Sequence, residues 1–71
     1  MDDEFSKAIL KIVNSANEPL ETKEIEEKLK GTSRNIILYR LNLLRGDGKI
    51  KGKSIGAGKG NWIWWKNEAF K

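Results

Sequence analysis

Seventy-one residues leave room for one small domain with a thin core, in which each large apolar side chain counts. The chain is 38% hydrophobic and 34% charged, a globular balance, and its lack of cysteine and histidine excludes disulfide staples, the usual zinc sites and histidine-based catalysis. The net charge of +4 hides an asymmetry: residues 1–30 carry five lysines against eight acids (−3), and residues 31–71 carry nine basic residues against two acids (+7), which turns one half of the chain toward a polyanion.

The first predicted element is an amphipathic helix over 3–16. Phe5, Ala8, Ile9, Ile12, Val13 and Ala16 recur on one face, Asp2 or Asp3 caps the start, and Pro19 ends it. Leu20 follows in a short extended segment. Thr22 reads as the N-cap of a second helix over 23–30 that buries Ile25 and Leu29, with Gly31 as a left-handed stop. Ser33 caps the third helix, 34–45, whose inward stripe is Ile37, Leu41 and Leu44. Ile36 is expected in the core against helix two. Leu38 and Leu43 lie on the flanks of that helix. Gly46-Asp47-Gly48 terminates it.

From residue 49 the period changes. Lys49, Lys51 and Lys53 alternate, Trp62-Ile63-Trp64-Trp65 favours a strand, and residues 56–61 form a glycine-rich turn between the two, which together predict a β-hairpin over 49–65. Trp64 is expected to complete the core, while Trp62 and Trp65 are open between packing and stacking on a base.

The order helix, short strand, helix, helix, hairpin resembles the winged helix-turn-helix family of DNA-binding domains. Three stretches carry the likeness: Pro19 to Ile25, Ser33 to Ile50, and the basic hairpin closing on Trp62 to Trp65. The resemblance implies an α+β fold spanning 1–71 as one domain, with three helices, a two-stranded C-terminal wing and a short third strand near Leu20. It also implies that the third helix enters the major groove of double-stranded DNA and that the wing tracks the backbone.

Within that frame the residues divide by chemistry. At about 100° per residue, Asn35, Tyr39 and Asn42 point away from the core stripe, and Arg34 flanks them. Amide and guanidinium groups can read base edges. Ser33 and the free amides of the helix start can hold a phosphate. Leu38 can touch a thymine methyl or pack against a neighbouring element. Lys51, Lys53 and, at the glycine-rich tip, Lys59 suit phosphate contact, or equally the protection of an exposed strand edge. Arg34, Lys51, Lys53 and Lys59 are expected on one basic face, with Glu24, Glu26 and Glu27 mostly off it.

No catalytic, cofactor or metal site is expected. Gly58-Lys59 is followed by Gly60, so the phosphate-loop pattern fails, and the glycines at 56, 58 and 60 lack the dinucleotide spacing. No apolar run approaches the roughly 20 residues of a membrane span, and the start Met1-Asp2-Asp3-Glu4 is acidic where a signal peptide is basic. The expectation is a cytoplasmic, nucleoid-associated protein that is not an enzyme. It would act as a small transcriptional regulator or bind a DNA repeat element. A homodimer would have to form through helix one or the last strand.

Two other readings stand beside this one. A protein-interaction module of a transcription or chromatin complex would use Leu38, Leu43 and the surplus tryptophans as its surface. A narrower likeness is to the winged helices that bind left-handed Z-DNA, with Asn35, Tyr39 and one of Trp62 or Trp64 in their contact positions. This chain departs from that pattern in having Gly31 where that family has a lysine, no proline pair in the wing, and a longer third helix.

Overall fold

The computed structural model describes residues 4–57 and 61–67. The elements run α1 (Glu4–Ser15), β1 (Leu20–Glu21), α2 (Thr22–Lys28), α3 (Arg34–Gly46), β2 (Ile50–Ser54) and β3 (Trp62–Lys66). The strands form one antiparallel sheet in the order β1-β3-β2. This is an α+β arrangement of three helices on a three-stranded sheet.

The register explains which side chains face the helices. Leu20 pairs with Trp64, and Gly52 pairs with Trp64 from the other side. Side chains alternate across a strand, so Leu20, Ile50 and Trp64 point inward, while Lys51, Lys53, Ile63 and Trp65 share the outer face. The buried core is Ile9 and Val13 of α1, Leu20, Ile25 of α2, Ile37, Leu41 and Leu44 of α3, Ile50, and Trp64. Helical spacing anticipates the contributions of all three helices. Phe5, Ile12, Ala16 and Leu29 are only half-buried and pack around this cluster.

Trp64 is fully buried, yet carries an N–H that must be satisfied. Its Nε1 donates to Thr22 Oγ1 at 2.9 Å. This corrects the expected role of Thr22: it is the first residue of α2, fully buried, and its hydroxyl serves the tryptophan. Glu21 is the N-cap instead, and its backbone N–H donates to Glu24 Oε1 at 2.8 Å, one arm of a capping box. Helix α2 also stops two residues earlier than expected. Leu29 is its C-cap, its N–H donating to the carbonyls of Ile25 and Glu26, and Gly31 follows in a left-handed conformation (φ +88°).

Helix α3 begins as expected, with Ser33 Oγ accepting from the Ile36 N–H. It ends in a Schellman turn: Lys49 N–H donates to Leu44 O and Gly48 N–H to Arg45 O, with Gly48 at φ +77°. The helix therefore runs through Gly46, and Gly48 makes the turn. Ile36 is not core. It is 48% exposed, because α2 meets the opposite flank of α3, the one bearing Arg34, and two residues turn a helix through about 200°.

Candidate nucleic-acid interface

The outward face of α3 carries Asn35, Tyr39 and Asn42, all exposed, with Tyr39 at 59%. Their direction follows from the burial of Ile37, Leu41 and Leu44 on the other side. Asn42 is engaged within its own helix. Its Nδ2 donates to Leu38 O at 2.9 Å, and its Oδ1 accepts from Arg45 Nη2 at 3.3 Å. Leu38 is half-buried against the core, which uses most of it for packing.

Ser33 and Arg34 stand at the start of α3. Ser33 Oγ is occupied as the cap. Arg34 makes an ion pair with Glu26 of α2, with Nε at 3.0 Å and Nη2 at 2.9 Å from the same oxygen, Oε1. Glu26, one of the acids expected mostly off the basic face, thus reaches that face at Arg34. Helices α2 and α3 pack together, and their surfaces meet where these two side chains reach.

On the hairpin, Lys51 and Lys53 are exposed on the outer face, opposite Trp65 and Ile63 respectively. Lys49 is exposed just before β2. Beyond β2, Ile55 N–H donates to Asn61 O at 2.8 Å, Ser54 Oγ donates to Gly56 O at 3.0 Å, and Asn61 Nδ2 donates to Ala57 O. Lys59 lies outside the described residues.

Two features of the surface are not foreseen by periodicity. Arg45 stands with Cζ 5.1 Å from the centre of the Trp62 ring, and that ring stacks on Trp64 at 5.3 Å with an interplanar angle of 19°. Trp62 is thereby half-buried between a core tryptophan and a guanidinium. Arg40, by contrast, turns to α1, where Nη1 donates to Ser6 Oγ at 3.2 Å and Cζ lies 5.5 Å from the Phe5 ring centre. The only sequence signal for the Arg45 contact is its position in the last turn of α3, with the loop to β2 too short to carry the hairpin far away.

No family model matches the chain, and neither a curated protein nor a solved structure matches it. Elements α3, β2 and β3 with their connecting described residues carry Arg34, Arg40, Arg45, Lys49, Lys51, Lys53 and Lys66 against Asp47 alone, while the other described acids, Glu4, Glu18, Glu21, Glu24, Glu26 and Glu27, all precede α3. Among the described residues no group of three or more carboxylates is placed to hold a metal ion, and no helix is long and apolar enough to cross a membrane.

Proposed function

We propose that this chain is a winged helix-turn-helix domain that binds double-stranded DNA, with α3 in the major groove and the β2–β3 hairpin as the wing on the phosphate backbone. The observation that carries the reading is the order of elements joined to their charge. The helix whose outer face bears Asn35 and Tyr39 leads directly into the hairpin bearing Lys51 and Lys53, and this whole unit is basic. Asn35 and Tyr39 have the chemistry to read base edges, and the lysines suit phosphate. A regulator or a binder of a repeated DNA element would use the same surface.

A protein-interaction role is the second reading, and one observation favours it: Ile36 and Tyr39 are both large and about half exposed on one flank of α3. Fluorescence anisotropy of a labelled mixed-sequence duplex across a salt series separates the two. DNA binding gives an affinity that falls steeply with salt, at a slope near −0.9 for each phosphate contacted. An affinity too weak to measure at low salt would leave the protein-interaction reading in its place.

A further inference from the structure

Arg45 is the last cation of α3, and two contacts fix where its guanidinium sits. The Trp62 ring lies under it, with Cζ 5.1 Å from the ring centre. Asn42 Oδ1 accepts from its Nη2 at 3.3 Å, and the Asn42 amide is itself anchored by its Nδ2 bond to Leu38 O. Trp62 is backed in turn by Trp64, which is fully buried and tied to Thr22. A line of contacts thus runs from the centre of the core to an exposed guanidinium. Stacking uses the face of that group and one hydrogen bond uses one of its five N–H donors.

Arg45 also lines a cleft of about 300 Å³ between the end of α3, β2 and the end of β3, together with Lys51, Gly48, Gly52, Trp65 and Asn67. Two cations border the cleft, and no acid is among its described lining residues. Gly48, with nothing within 4 Å of where a Cβ would stand, leaves the backbone open to close approach. A guanidinium already held in place loses less side-chain freedom on binding than a free one, so its contact is stronger for the same charge.

We infer that Arg45 and Lys51 together seat one backbone phosphate of the duplex where the recognition helix meets the wing. Asn42 and Trp62 act as positioning residues for Arg45. This rests on the duplex-DNA reading above and changes one part of it: Asn42 orients a phosphate contact and does not read a base.

The test compares wild type, Arg45→Gln, Asn42→Ala and the double variant on a preferred duplex and a scrambled one, each across a salt series. Both side chains are exposed, so folding is retained and is checked by tryptophan emission. Arg45→Gln should weaken both duplexes alike, by about five- to tenfold, and flatten the salt slope by about 0.9. Asn42→Ala should move affinity and slope the same way to a smaller extent, and add nothing when Arg45 is already changed. Wild-type binding with Arg45→Gln unaltered in affinity and slope overturns the inference while leaving the DNA reading intact. A narrowed gap between the two duplexes in Arg45→Gln overturns it too, since Arg45 would then be reading a base. Inorganic phosphate, at the phosphate concentration of the duplex, is the small-anion probe: displacement of DNA by it would assign the cleft to a free anion instead. Failure of wild type to bind either duplex removes the DNA reading, and this inference with it.

Discussion

The Arg34 guanidinium is held by Glu26 across the α2–α3 junction, both of its contacting nitrogens within 3.0 Å of the same carboxylate oxygen. The side chains are 48% and 33% exposed, so the pair is worth only about 0–1 kcal/mol of stability and is readily exchanged. A phosphate oxygen offers Arg34 the same partner chemistry, at a helix start whose dipole favours an anion. On the proposed duplex-DNA reading, Glu26 would compete with a DNA phosphate for Arg34.

Glu26→Gln should therefore tighten duplex binding, about two- to fivefold at low salt, and steepen the salt slope. Glu18→Gln on the α1–β1 loop changes net charge equally and serves as the control. Anisotropy titrations of both variants check this. Equal effects would mean that net charge alone, and not release of Arg34, governs the change.

Gly52 lies against the Trp64 ring. A Cβ there would stand 2.5 Å from Trp64 Cε3 and 2.8 Å from Cζ3, closer than carbon atoms approach. The tryptophan is fully buried and stacked on Trp62, so Gly52→Ala should cost about 1–3 kcal/mol. Urea denaturation followed by tryptophan emission measures it, and an unchanged midpoint would show that the ring can shift.

Thr22→Val removes the acceptor of the Trp64 N–H while keeping the side chain's shape. The buried donor is left unsatisfied, at a cost of about 1–3 kcal/mol. Thr22→Ser keeps the hydroxyl and should lose less. The ordering of the two variants in thermal melts is the readout, and a valine variant more stable than the serine one would contradict the hydrogen bond's role.

These last two contacts mark the limit of what the sequence discloses. The apolar stripes of α1, α2 and α3 follow from spacing alone, because a helix brings residues three and four apart together regardless of its surroundings. Thr22 is different. Its pattern fits a cap as well as a core position, and Trp64, 42 residues away, decides between them. Ile36 is misjudged because spacing gives the direction of a side chain but not which flank the neighbouring helix occupies. The Arg45–Trp62 stack and the Arg34–Glu26 pair join separate elements, so no local period records them. The exposed Asn35, Tyr39, Lys51 and Lys53, by contrast, are legible, since a residue opposite a core stripe faces outward wherever the stripe is buried.

Asn35 and Tyr39 stand exposed one turn apart, as a binder of left-handed DNA would require, but Trp62 is taken up between Trp64 and Arg45. The circular dichroism spectrum of an alternating CG duplex should keep its right-handed form when protein is added. An inverted spectrum that Tyr39→Ala abolishes would establish the left-handed mode instead.

The central claim, that α3 and the hairpin form one DNA-binding face, is tested most directly by mapping amide chemical-shift changes on the full chain as a mixed-sequence duplex is added. The account predicts the largest changes at Ser33, Arg34, Asn35 and Tyr39 and along Lys51 and Lys53, with the groove between α1 and α2 around Ile12, Ala16 and Leu20 unaffected. Changes concentrated in that groove, with α3 and the hairpin silent, would contradict it.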